Sequence, residues 1–303
     1  MIRNFNDVIK QAKENEIKTV AVAVAQDEPV LEAVKAAKEQ GIANAILVGD
    51  KSEIESLAQN LNMDLSQFEV IDEKDMKKAA NRAEELVSTG KADMVMKGLI
   101  DTANFLRAVL NKEIGLRTGK LMSHVAVFEV PKYDRLLFIT DAAFNMYPEL
   151  KDKVDIVNNA VTVAKSVGID LPKVAPICAV EVVNPSMPAT LDAAALTQMN
   201  ARGQIKGCII DGPLAVDNAL SEEAAHHKKI SGPVAGKADI LLMPNIEAGN
   251  VMYKTLTYTT DSKNGGLLVG TKAPVIVTSR ADTYETKLNS IALAALVAEL
   301  MKK

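Results

Sequence analysis

Cysteine is almost missing from this chain of 303 residues, with Cys178 and Cys208 the only two. Two thiols cannot build a disulfide framework, and their spacing is not that of a zinc site, so a reducing cytoplasm is the expected compartment. A dominant charge is lacking as well. The 35 basic and 39 acidic side chains leave a formal charge of -4, which gives no global positive field to gather nucleic acid or an anionic membrane. Any anionic ligand must therefore be held locally. No apolar run approaches membrane-spanning length, and the opening Met1-Ile2-Arg3-Asn4-Phe5-Asn6-Asp7 leads into mixed polar and apolar residues rather than an export signal. The expectation is a protein neither exported nor inserted. The absence of a short fixed-period repeat excludes a solenoid. The first apolar run continues as Val22-Ala23-Val24-Ala25-Gln26-Asp27 without a G-x-G-x-x-G turn, which argues against NAD-dependent oxidation.

What is present has the balance of an ordinary globular protein, 48% hydrophobic and 24% charged, at a length that suits two α/β lobes or one large domain. Short Val/Ile/Leu/Ala runs alternate with charged stretches of helical period, the rhythm of β-α-β units around parallel strands. Residues 19–24, 45–48 and 94–96 read as buried strands, as do 174–177, 208–210, 240–243 and 275–277. Between 121 and 140 the pattern becomes a hairpin, Val125–Phe128 and Leu136–Ile139 joined by Pro131-Lys132-Tyr133-Asp134. A lobe boundary is placed there. The expected organisation is 1–125 plus 280–303 as one lobe, closed by a helix from about 284, and 126–279 as the other.

Ligands of open α/β sheets collect beyond the carboxyl ends of strands, so the loops after these runs are where chemistry is expected. Lys97-Gly98 follows one run and leads to Asp101-Thr102, which open a helix carrying Arg107, a combination suited to an anion. Asp211-Gly212-Pro213-Leu214-Ala215-Val216-Asp217 follows another. Pro244-Asn245-Ile246-Glu247-Ala248-Gly249-Asn250 follows a third, with Lys254 one helical turn on. Thr278-Ser279-Arg280-Ala281-Asp282 brings a hydroxyl, a guanidinium and free amides to one strand-to-helix loop, where a phosphoryl group fits. Each also has a plainer reading as a turn, a cap or a solvated helix face. Cys178 and Cys208 read as small core residues, not nucleophiles. His226-His227 reads as surface helix rather than metal site, and His124 as packed in the hairpin.

These stretches, together with Met96–Ile100, Thr102 and the run Thr140-Asp141-Ala142-Ala143-Phe144-Asn145 with Pro148, resemble the phosphate acetyl/butyryl transferase family, most closely its butyryl-transferring branch. The resemblance covers nearly the whole chain. It implies two α/β/α lobes with mostly parallel sheets and an intervening active-site cleft, a homo-oligomer, and neither a metal nor a tightly bound cofactor. The implied reaction is butanoyl-CoA + phosphate = butanoyl phosphate + CoA, by direct attack without an acyl-enzyme, with the coenzyme A thioester and inorganic phosphate as substrates. Acetyl or broad short-chain transfer, and a non-enzymatic protein that binds coenzyme A or another phosphorylated ligand, are the alternatives.

In that reading Arg280, Arg107 and Lys254 hold phosphate, while Ser279 and backbone amides donate to the developing oxyanion. Lys97, Gly98, Thr102, Asp141, Asn145, Asp217 and Asn250 complete the substrate-binding set. A thiol with a pKa near 8.5 gains from a nearby base or positive field. The acetyl-transferring relatives carry an aspartate where this chain has Thr286. Glu285, or else Asp282, takes the base role here. The same pair forms Asp-x-x-Glu at a helix start and so equally reads as an N-terminal cap.

Overall fold

The computed structural model describes residues 2–279 and 281–302. The chain is α/β, as its alternating pattern predicts, and it divides into two compact units. The outer unit is Phe5–Lys120 with Gly265–Lys303; the inner unit is Leu121–Asn264 with Met1–Asn4.

The outer unit runs α1 (Phe5–Glu14), β1 (Lys18–Ala23), α2 (Glu28–Glu39), β2 (Ala43–Gly49), α3 (Lys51–Asn60), β3 (Glu69–Asp72), α4 (Met76–Ser88), β4 (Met94–Lys97) and α5 (Thr102–Val109). Strands β1, β2 and β4 are almost wholly buried, which is why they appear as continuous apolar runs rather than alternating ones. An aspartate stops each preceding loop and starts the next helix. Asp27, Asp50, Asp75 and Asp101 cap α2, α3, α4 and α5, each accepting from backbone N–H groups of the first turn, which satisfies donors the helix itself cannot.

The inner unit runs β5 (Ser123–Glu129), β6 (Leu136–Thr140), α6 (Leu150–Ser166), β7 (Lys173–Pro176), α7 (Pro188–Ala201), β8 (Ile209–Ile210), α8 (Val216–Leu220), α9 (Glu222–His227), β9 (Ile240–Leu242) and α10 (Ile246–Thr259). The expected hairpin is β5 and β6, antiparallel with Val125 opposite Thr140. The remaining pairs in the order β6-β9-β7-β8 are parallel. Phe128, Ile139, Leu241 and Val234 belong to this unit's apolar core.

The chain then returns through β10 (Lys263–Val269), β11 (Val275–Ile276) and α11 (Tyr284–Met301). In the outer unit β11 pairs parallel with β4 and antiparallel with β10, giving the order β3-β2-β1-β4-β11-β10. The return therefore starts at Gly265, ahead of residue 280 where the sequence pattern put it, because β11 has its partner in β4 and α11 packs on α1 and α2.

Candidate functional site

In the outer unit the motif loops leave from one end of neighbouring strands. Val22 pairs with Met96 and Met96 with Ile276, so the segments after β1, β4 and β11 emerge side by side. Lys97, the last residue of β4, is buried, and its ammonium donates to the carbonyls of Gly98 (3.2 Å) and Ile100 (3.1 Å). It braces the loop that follows it. Gly98 lies against the end of β1, where its amide donates to Ala23 O at 2.9 Å. A Cβ on Gly98 would stand 2.1 Å from Val24 O, so only glycine fits this approach. Val24 has φ +60, a rare conformation for a β-branched residue that nothing in the apolar run around it signals.

Thr102 is exposed at the start of α5, beside the Asp101 cap. Arg107 is exposed on the same helix, its guanidinium donating to Asn104 Oδ1 at 2.6 Å while Asn104 Nδ2 donates to Asp101 at 2.6 Å. Hydrogen bonds from the Asn104 backbone and side chain hold the Asp101 carboxyl below its usual range.

After β11 comes the Ser279 turn. Ser279 is exposed; its amide donates to Asp282 Oδ2 at 2.7 Å, its hydroxyl accepts from Ala281 N at 3.3 Å, and Asp282 N donates to Ser279 O at 3.2 Å. Arg280 lies outside the described residues. The cap of α11 is not Asp282 but Thr283, whose hydroxyl accepts from Thr286 N at 3.3 Å. The expected Asp-x-x-Glu cap therefore falls one residue later, since the Asp282 carboxylate is turned back onto the Ser279 amide. Glu285 is exposed in the first turn of α11, and its charge pushes the neighbouring Tyr284 phenol up. Lys287, which sequence reasoning missed, is buried and donates to Ser279 O and Asp282 O. The legible signal was a lysine opening the apolar stretch of a long helix.

The inner unit also gathers its motifs at strand ends, since Thr140 and Pro176 both pair with Leu242. Asp141, 2% exposed, uses both carboxylate oxygens on its own surroundings. Oδ1 accepts from Ala143 N and Phe144 N, each at 2.9 Å, and Oδ2 from His124 N (3.2 Å), Asn145 N (3.1 Å) and Asn145 Nδ2 (2.6 Å). Asn145 Nδ2 also donates to Met122 O at 3.0 Å. The same loop meets α10: Asn250 Nδ2 donates to Ala142 O at 3.3 Å, and a Cβ on Gly249 would stand 2.2 Å from Asp141 O. Asp141, Asn145 and Asn250 are thus one assembly. Lys254 is exposed one turn further along α10.

Asp217 is tied elsewhere. Its carboxylate lies 2.9 Å from Lys228 Nζ, which also reaches Glu181 at 2.6 Å, and the Lys228 hydrogen bond holds its pKa down. Between Val216 and the start of α10, where Asn245 caps the helix and Ala248 lies in its first turn, opens a mainly apolar cavity of about 570 Å³, with Cys178 at its wall. Burial pushes both cysteine thiols up to about 11, the opposite of what a nucleophilic thiol needs. His226 and His227 are exposed on α9, and His124 is buried in β5 against Tyr253. Among the described residues there is no group of three or more His, Cys, Asp or Glu that could hold a metal ion.

A sequence model described as phosphate acetyl/butaryl transferase matches residues 4–85 and 73–295. The chain is 72% identical to a phosphate butyryltransferase of Clostridium acetobutylicum, over 98% of this chain and 99% of that one. It is 46% identical to a phosphate acetyltransferase of Thermotoga maritima, over 93% and 95%. The structure of a branched-chain phosphotransacylase from Enterococcus faecalis superimposes with a TM-score of 0.83 at 34% identity, covering 93% of this chain and 99% of that one. With its motif loops at the strand ends and nearly its whole length matched by these enzymes, the chain belongs to the phosphate acetyl/butyryl transferase family.

Proposed function

We propose that this chain is an acyltransferase that catalyses butanoyl-CoA + phosphate = butanoyl phosphate + CoA. The observation that carries the reading is the 72% identity, over nearly the full length, to a protein named for that reaction, against 46% to one named for acetyl transfer. In the forward direction a phosphate oxygen attacks the thioester carbonyl, the new C–O bond forms as the C–S bond breaks, and coenzyme A leaves as the thiolate. In reverse the thiolate attacks the acyl phosphate. No protein nucleophile is needed, in keeping with thiols whose pKa burial raises.

Side chains divide the work by chemistry. Arg280, Arg107 and Lys254 hold phosphate by charge. The Ser279 hydroxyl and nearby amides donate to the tetrahedral oxyanion. Lys97 and Asp141 hold their loops with bonds to the chain itself, which supports a framing role for both. Glu285, exposed beside Tyr284, is the candidate base for the thiol, and Asp282 is engaged by the Ser279 amide. Thr102, Asn145 and Asn250 offer hydrogen-bonding groups to the substrates. Asp217, paired with Lys228, directly follows Val216, which lines the apolar cavity. We further propose a homo-oligomer, and a cytoplasmic location, which free cysteines suit. No helix among the described residues is long and apolar enough to cross a membrane.

The test is release of free thiol from butanoyl-CoA by the purified protein, beside acetyl- and propionyl-CoA, a no-phosphate control and an assay for nicotinamide reduction. Phosphate-dependent release fastest with butanoyl-CoA is the expected result. Equal or faster release from acetyl-CoA assigns the broad or acetyl reading, and binding without turnover assigns the ligand-binding one. Arg280→Ala should lose turnover by roughly 100-fold or more, as expected for a lost clamp on a transferring phosphate. Glu285→Gln should slow thiol attack and flatten its pH dependence. An unchanged profile would remove Glu285 from the base role.

A further inference from the structure

Helix α11 is buried continuously from Lys287 to Ala298, and Lys287 is the one charged residue in that stretch. An ammonium is poorly suited to the place on two counts. Lysine is almost never fully buried without partners, and a cation in the first turns of a helix meets the positive end of the helix dipole. Burial accordingly lowers its pKa from the ordinary lysine value, with the charges of Asp282 and Asp27 pulling the other way.

What offsets these penalties is a pair of charge-assisted hydrogen bonds, to Ser279 O at 3.1 Å and to Asp282 O at 2.8 Å. Those two residues are themselves joined by the bond from Asp282 N to Ser279 O. Across the same turn Ser279 N donates to the Asp282 carboxylate. The turn is therefore held from two sides, by Lys287 at its carbonyls and by Asp282 at its leading amide.

We propose that Lys287 is a positioning residue for acyl transfer, fixing Ser279 and Asp282 so that the Ser279 hydroxyl meets the reacting phosphate in a set geometry. This rests on the reading of that turn as the phosphate and oxyanion site. Lys287 touches no substrate. It acts through two backbone carbonyls, and its buried charge adds to the positive field behind them. Small displacements of such a turn matter, because a misplacement of about 1 Å can cost on the order of 100-fold in rate.

A lysine that only plugged the helix start would set stability and leave the kinetic constants of folded molecules unchanged. The experiment compares full-length Lys287→Met, similar in length but uncharged, and Lys287→Gln, which keeps N–H donors, with the parent protein. Melting temperature, kcat and the KM values for phosphate and butanoyl-CoA are measured for each. Lys287→Met should fold, lose kcat by roughly 10- to 100-fold and raise the phosphate KM several-fold, while the butanoyl-CoA KM stays within about twofold. Lys287→Gln should fall between the two. Folded variants with kcat and phosphate KM within about twofold of the parent overturn the proposal. Failure of both variants to fold overturns it too, since the lysine then serves folding rather than the site. A parent protein without phosphate-dependent thiol release would instead remove the reading of the turn itself, and this proposal with it.

Discussion

Two buried carboxyl groups show how much local donors decide. Asp141 is surrounded by five N–H bonds from its own loop and from His124. Glu84, on α4, is fully buried with both side-chain oxygens unpartnered, and burial alone pushes its pKa from 4.5 to about 8. The folded chain therefore keeps a proton on Glu84 that the unfolded chain releases above pH 4.5. Folding is penalised progressively as pH rises from about 4.5, and the penalty levels off above about 8. At pH 7 this is worth roughly 3 kcal/mol, using about 1.4 kcal/mol per pKa unit. Glu84→Gln, neutral at every pH, should match the parent protein in urea unfolding near pH 4.5 and become progressively more stable than it towards pH 8. A stability difference that does not change with pH would rule out a buried, proton-holding Glu84. No feature of the sequence singles this residue out, because Glu84-Glu85 within a charged helical stretch looks solvated and only the packing of α4 buries the first of the pair.

At the scale of elements, Gly249 sets a propensity gain against a steric loss. It lies inside α10, where replacement by alanine ordinarily helps a helix by about 1 kcal/mol. Here the new Cβ would sit 2.2 Å from Asp141 O and 2.9 Å from Ala142 Cα, both backbone atoms that cannot rotate away. Overpacking of this kind costs typically about 1–3 kcal/mol, and it would separate α10 from the Asp141 loop. Gly249→Ala should lower the melting temperature despite its helix propensity and reduce turnover; a melting temperature at or above the parent value would show that α10 can shift freely. The glycine was visible in the sequence as a motif residue, but not its reason, which is an approach between segments far apart in the chain. The same limit explains the strands that were missed. β3 is short and largely exposed, and β10 begins Lys263-Asn264-Gly265-Gly266, so neither shows the apolar run that marks β1 or β4. The hairpin and α11 were legible because their patterns are local and long.

For the whole molecule, near-balanced charge means that anionic substrates are captured by particular residues rather than by an overall field. The sequence located those motifs along the chain, but not how the chain shares them between its units. Lys97, Arg107, Ser279 and Glu285 fall in the outer unit, which is assembled from two long separated segments; Asp141, Asn145, Asp217, Asn250 and Lys254 all fall in the stretch 121–264 of the inner one. That stretch carries its own apolar core around Phe128, Ile139, Val234 and Leu241, and a continuous segment with its own core is what an independently folding domain requires. Residues 121–264 produced alone should therefore unfold in one cooperative urea transition followed by circular dichroism. The fragment should show no phosphate-dependent thiol release, because the Ser279 turn and Lys97 are absent from it. A broad, non-cooperative transition would mean that the inner core depends on the outer segments for its packing, and turnover by the fragment would place the chemistry entirely on Asp141, Asn250 and Lys254.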